Sequence, residues 1–262
     1  MKFTAKSLIL DMLLANEGEP LSARDAVQAA ALFDIGESSV RVTLLRLVAD
    51  GLIEASDRGV YRLRGAAHEL AGEVATWRTA DARTRPWSGA WIAVHSAPLG
   101  RSDRQRLRVR QRALNMLGFR ELDPGLLLRP DNLEGGVEAV RGRLIKLGLE
   151  PDAAVFVADH FDPARRARLA GLWDGAALNR AYRELARELE AWTTQVDAMP
   201  LAQAAHESLL MGRHAIRQVV FDPMLPSPMV DVDARRQFVD AVRAYDRTGQ
   251  AIWRRMRGLP PK

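Results

Sequence analysis

The chain has 262 residues, room for two or three small domains with cores of their own, and its 38 Lys and Arg against 33 Asp and Glu leave a net charge of +5. That balance favours an anionic partner without naming one, and a protein that is simply basic fits it as well. The absence of cysteine excludes disulfides, thiolate metal sites, iron–sulfur ligation and a thiol nucleophile, and it suits a reducing cytoplasm. The first predicted element is a helix over residues 5–15, with Leu8, Met12 and Ala15 on one face. Its run "LILDMLLA" is too short, and too soon charged at Asp11, for a membrane span, and no signal-peptide cleavage site follows.

Ser22 is the N-cap candidate of a second helix that ends near Phe33, before Gly36. Glu37 to Asp50 form a third helix, whose buried stripe is expected to hold Val40, Leu44, Leu47 and Val48 at the i, i+4, i+7, i+8 spacing. Gly51 follows as a C′ residue. Two short strands then flank an Asp57-Arg58-Gly59 turn. Three helices and a hairpin within residues 1–65 describe a winged helix-turn-helix. Residues 66–86 read as a linker helix, with Leu70, Val74 and Trp77 at i, i+4, i+7, closing in the mixed-charge stretch "TADARTRP".

The central stretch 87–162 reads as a β-α-β-β-α-β unit. Its first strand is "AWIAVHSA", and a basic helix from Ser102 to Leu117 follows. The hairpin "FRELDPGLLLRP" comes next, with Pro124 and Gly125 at the centre of a type II turn. A second helix spans Leu133 to Leu147, before the strand "DAAVFVAD". That order is ferredoxin-like, of the kind seen in Cas2-type proteins. Residues 163–262 are helical. Leu178, Tyr182, Leu185, Leu189, Trp192 and Val196 mark one long stripe, a helix runs from Leu201 to Phe221, and "DPMLPSP" stops it. Phe238, Val242, Tyr245, Ile252 and Met256 line the last helix. The fold class is therefore α+β: an N-terminal winged helix-turn-helix, a central ferredoxin-like domain and a C-terminal helical domain.

With its stripe packed inward, the third helix turns Ser38, Val42, Arg46 and Ala49 outward, with Ser39 and Arg41 on the flanks. Such a face fits a major groove: arginine can fork to guanine or clamp phosphate, and serines near the helix start can join its free N–H groups around a phosphate. Arg58 and Arg62 in the hairpin are placed to reach the neighbouring backbone. Ser38, Ser39, Arg41, Val42, Arg46, Arg58 and Arg62 are thus the expected contacts to double-stranded DNA. An ordinary solvated helix and hairpin, or one used for protein contacts, is the competing account. Leu45 faces partly outward and fits if it packs under the hairpin.

Four stretches in this order resemble the PaaX-type transcriptional repressors of phenylacetate catabolism: "SSVRVTLLRLVADGLI", "WSGAWIAVHSAP", "LGFRELDPGLLLRP" and "FDPMLP". None is specific alone; their order and spacing are. The resemblance spans nearly the whole chain. It implies a cytoplasmic homodimer that releases its operator on binding an aryl acyl-CoA, typically phenylacetyl-CoA.

Candidate effector contacts are Trp87, Trp91, Arg104, Arg108, His214 and Arg217. A tryptophan can stack on an aryl or adenine ring, although core packing competes for Trp87 and Trp91. Arg104 and Arg108 belong to a helix crowded with Arg101, Arg104, Arg106, Arg108, Arg110 and Arg112. These six are not expected to form a single stripe. Solvated surface ion pairs and phosphate contacts both account for them.

No P-loop, G-x-S-x-G or G-x-G-x-x-G is present, the five histidines are scattered, and no metal or cofactor is expected. The chain is not expected to be an enzyme. Two alternatives remain: a constitutive DNA- or protein-binding winged helix without an inducer, and a Cas2-like metal-dependent nuclease. The strand "WIAVHSA" offers the second no carboxylate for a divalent metal.

Overall fold

The computed structural model describes residues 3–15, 19–65, 67, 72, 76–100 and 102–258, and it is a mixed α/β chain with two antiparallel sheets. Leu70 and Val74, which carry the linker-helix expectation, and Arg101 lie outside those residues. The chain divides into two compact units. The first combines Met1–Arg78 with Leu189–Ile216 and Val242–Lys262; the second combines Thr79–Glu188 with Arg217–Ala241.

In the first unit, α1 (Ala5–Ala15) opens on reciprocal bonds between Thr4 and Ser7. Ser22 caps α2 (Ala23–Ala31), its Oγ accepting the Asp25 N–H at 3.0 Å. Then come α3 (Glu37–Ala49), β2 (Ile53–Asp57) and β3 (Val60–Leu63). A two-residue strand β1 (Leu21–Ser22) joins the hairpin, giving the order β1-β3-β2. The sequence did not announce β1, because two residues hold no periodicity. Leu8, Leu21, Leu44, Leu47 and Ile53 are fully buried here. Each such side chain contributes about 1.5–3 kcal/mol of transfer free energy. Leu209, Leu210 and Trp253 pack against the same core. They come from α8 (Leu201–Val220) and α9 (Val232–Met256).

Val48 departs from its expected place and is 37% exposed. At about 100° per residue it sits well to one side of Val40, Leu44 and Leu47, and the packing is narrow enough to leave it out.

Asp11 of α1 is mostly buried in this unit. Arg213 Nε lies 3.3 Å from its Oδ2, in ion-pair range but not aligned for a hydrogen bond, so that buried oxygen accepts none. Burial therefore outweighs the nearby guanidinium and pushes the Asp11 carboxyl up to about 6. The folded chain then holds this proton more tightly than the unfolded chain does. Asp11's contribution to stability is complete below pH 4 and is lost as pH rises through about 6, a swing of up to about 3 kcal/mol. Urea midpoints between pH 4 and 7 should fall less steeply for Asp11→Asn than for the parent chain.

In the second unit, β4 (Trp91–His95) is flanked by β6 (Leu126–Pro130) and β7 (Ala154–Ala158), and β5 (Arg120–Asp123) completes the antiparallel order β5-β6-β4-β7. The register runs Trp91 to Pro130 and Ala158, and His95 to Leu126 and Ala154. Helices α4 (Arg104–Met116) and α5 (Gly136–Lys146) connect β4 to β5 and β6 to β7. Asp103 caps α4 by accepting from the N–H groups of Gln105 and Arg106. Gly125 has φ +77, as a type II turn after Pro124 requires. Further on come α6 (Pro163–Leu169) and α7 (Gly175–Gln195).

Two of the stretches that carry the family resemblance meet here. Gly118 packs on Pro223, its N–H bonding to Asn115 O and its carbonyl accepting from Trp173 Nε1 at 3.1 Å. Arg129 is fully buried and donates to the carbonyls of Leu117 and Pro130 and to Asn132 Oδ1. Asn132 in turn donates to Met224 O at 2.7 Å. Asp222 accepts from Tyr182 OH at 2.5 Å and from the Met224 N–H at 2.7 Å. Burial brings the Arg129 guanidinium down to about 9 and raises the Asp222 carboxyl. The fixed carbonyls around Arg129 offset part of that cost. Asp222 thus holds the turn that follows α8.

Candidate nucleic-acid interface

Helix α3 and the β2–β3 hairpin present the expected contacts. Val40, Leu44 and Leu47 tie one side of α3 to the core, which fixes what the other side shows. Ser38, Ser39, Arg41, Val42, Leu45, Arg46 and Ala49 are all exposed, as are Arg58 and Arg62 in the hairpin. Gly36, the N-cap, supplies no side-chain acceptor, so the first-turn N–H groups beside Ser38 and Ser39 are not claimed by a cap. Such a terminus suits a phosphate.

The arginines fall into two sets. Arg41 is held by Glu37 (Nε to Oε1, 2.7 Å) and Arg62 by Glu54 (2.6 Å). Exposed pairs of this kind are worth about 0–1 kcal/mol, so a phosphate can replace the carboxylate at small cost. Arg46 and Arg58 have no carboxylate partner among the described residues and are ready for an anion. Leu45 does not pack under the hairpin: it is 67% exposed, on the same side as Val42.

The candidate effector residues lie in both units. Trp91 is buried, stacked on Trp173 with ring centroids 5.9 Å apart. Trp87 is half-buried, edge-on to Trp91 at 5.3 Å, and its Nε1 donates to Ala90 O. Arg104 and Arg108 are exposed on α4. Arg217 is exposed with its guanidinium 5.3 Å from the Phe221 ring, and these five belong to the second unit. His214 is exposed and belongs to the first.

The arginines of α4 separate by environment. Arg110 is buried and grips Glu150 with Nε and a terminal nitrogen at 2.9 and 2.5 Å. Arg106 stays near Asp103 at 3.6 Å. Arg104, Arg108 and Arg112 remain exposed at intervals of four, which makes one helical stripe. Arg112, grouped with these arginines in the sequence but not among the candidate effector contacts, falls on the same stripe as Arg108. Among the described residues no group of three or more His, Cys, Asp or Glu could hold a metal ion, and no helix is long and apolar enough to cross a membrane.

Comparison with known proteins decides the kinship. Residues 4–67 match the PaaX-like protein family, and residues 173–255 match the PaaX-like protein C-terminal domain. The chain belongs to the PaaX-like family. Both matched segments lie on stretches already singled out, the first ending just past the hairpin and the second holding "FDPMLP". Membership makes this PaaX-like chain kin to transcriptional regulators rather than to enzymes. A solved structure, that of the uncharacterized protein Rv0674 from Mycobacterium tuberculosis, is similar with a TM-score of 0.55 and 26% identity, over 94% of this chain and 99% of that one. No curated protein is similar enough to serve as a relative.

Proposed function

We propose that the chain is a ligand-responsive transcriptional repressor that works on DNA in the cytoplasm. The observation that carries this reading is the exposed side of α3, with Arg46 free of carboxylates among the described residues, set beside a hairpin with Arg58 near its tip. In this reading the first unit contains a winged helix-turn-helix: α3 enters the major groove, and the hairpin touches the adjacent backbone. The second unit contains a ferredoxin-like domain over residues 87–162, a reading supported by the β-α-β-β-α-β order and the strand order β5-β6-β4-β7. The contacts are Ser38, Ser39, Arg41, Val42, Arg46, Arg58 and Arg62. Arg46→Ala should weaken operator binding by about 1–3 kcal/mol and relax sequence preference if Arg46 reads a base, or weaken all duplexes alike if it holds phosphate. Footprinting on the DNA upstream of the chain's own coding region measures this. Unchanged affinity in the folded variant would remove α3 from the interface. A homodimer should protect two inverted half-sites about 34–36 Å apart, or a multiple of that.

The effector in this reading is an aryl acyl-CoA such as phenylacetyl-CoA. Family membership and the stripe Arg104, Arg108 and Arg112, suited to the phosphates of CoA, support it. Arg104→Ala combined with Arg108→Ala should weaken acyl-CoA binding by calorimetry more than it weakens operator binding. Release follows only if the effector prefers the arrangement with lower DNA affinity. An operator affinity indifferent to a panel of acyl-CoA esters would leave a constitutive DNA-binding protein.

A further inference from the structure

Three of the large apolar side chains that are exposed, Val42, Leu45 and Val48, belong to the single helix α3. At about 100° per residue, Ser38, Val42, Leu45 and Ala49 share the middle of the exposed side, with Arg46 and Ser39 to one side of it and Arg41 to the other. The middle carries no charge. Val42 is 47% and Leu45 67% exposed. Single exposed apolar residues need no explanation, but a contiguous patch rimmed by polar groups marks a contact surface.

We infer that Val42 and Leu45 read thymine methyl groups, making this apolar strip a specificity element within the DNA interface. The inference rests on the proposed DNA-binding role of α3. The floor of the major groove is a field of donors and acceptors, and its apolar feature is the C5-methyl of thymine. A strip of valine, leucine and alanine is complementary to methyl groups and to no other groove feature. The polar flanks have a separate complement. Arg46 and the N–H groups beside Ser38 and Ser39 on one side, and Arg41 on the other, match the acceptors and phosphates that border the floor. Charge on both flanks and none in the middle is what a groove floor bordered by two phosphate strands requires. Ser38 and Ala49, both small, let the helix approach closely enough for the longer Leu45 to reach a methyl.

The test uses the full chain and a duplex enriched from a random pool by that chain. Each thymine is replaced singly by uracil, which deletes the methyl and keeps the base pair. At one or two positions the parent chain should lose about fourfold in affinity, the worth of one methyl-sized group removed from water. Leu45→Ala or Val42→Ala should bind the thymine and uracil duplexes alike at that position, so that the double-mutant cycle places the methyl against that residue. Both substitutions are at exposed sites and leave the core intact. If uracil is tolerated at every position while specific binding persists, the inference is overturned and the DNA reading stands. If no duplex is enriched, both fall. If Leu45→Ala changes the oligomeric state in solution and leaves DNA affinity untouched, the strip is a contact between copies and the inference is overturned.

Discussion

Replacing Gly118 by alanine should cost the second unit about 2–5 kcal/mol, the combined toll of backbone strain and overpacking. Gly118 has φ +75, where L residues with a Cβ are strained. A Cβ there would stand 2.6 Å from Pro223 Cα and 2.9 Å from Pro223 O, both main-chain atoms that cannot rotate aside. Retreat is blocked from the other direction. The Gly118 carbonyl holds Trp173 Nε1, and Trp173 is stacked on Trp91 of the central strand. Hydrogen exchange at the amides of β4 and β6 should rise in the variant, together with a lower urea midpoint. A midpoint equal to that of the parent chain would show that the contact with Pro223 yields without cost.

Leu44→Ala should destabilise the first unit by about 2–5 kcal/mol, through lost transfer free energy and a residual cavity. Leu44 is 1% exposed and faces the core that Leu8, Leu47 and Ile53 share. Its neighbour Leu45 is the contrasting site: Leu45→Ala, at 67% exposure, should shift the midpoint by no more than about 0.5 kcal/mol. The two variants separate stability from recognition on adjacent positions of one helix. Loss of DNA binding in Leu44→Ala should track the unfolded fraction, whereas any loss in Leu45→Ala should appear with the chain fully folded. Similar midpoints for the two would contradict the inward and outward assignment of α3.

Local chemistry was well written into the sequence. The Ser22 cap, the turn at Pro124-Gly125, the boundaries of α1 and α3 and the last helix follow from spacing and from residues that start or stop helices. What sequence could not say is which neighbour arrives from a distance. Trp91 sits on a tryptophan 82 positions later in the chain, and no periodicity relates the two. Arg110 is buried because Glu150, 40 residues away, meets it. Its spacing from Leu107, Leu114 and Leu117 puts it on the buried side of α4, opposite Arg108, but nothing in "RQRLRVRQRALNM" names the partner. Arg129 is hidden by main-chain carbonyls, which carry no sequence signature at all. For the candidate interface the reverse holds. Ser38 and Arg46 were legible because exposure on a short helix follows from one well-defined stripe, and Arg58 because it sits in a hairpin turn, whereas the pairing of Arg62 with Glu54 needed the hairpin register, Glu54 opposite Arg62.

The packing of Leu209, Leu210 and Trp253 against α1–α3 has a consequence in time. A ribosome completes the first 65 residues long before it reaches Trp253, and at about 5–20 residues per second the interval is roughly 10–40 s. Throughout it the nascent N-terminal helices carry an apolar face whose cover is not yet complete. The second unit differs, since most of it is contiguous from Thr79 to Glu188. A chain truncated before Trp253 would keep Leu209 and Leu210 but lose the part of that cover that Trp253 supplies. The N-terminal helices thus reach their full burial only when nearly the whole chain has been made, so their folding is completed late although they are synthesised first.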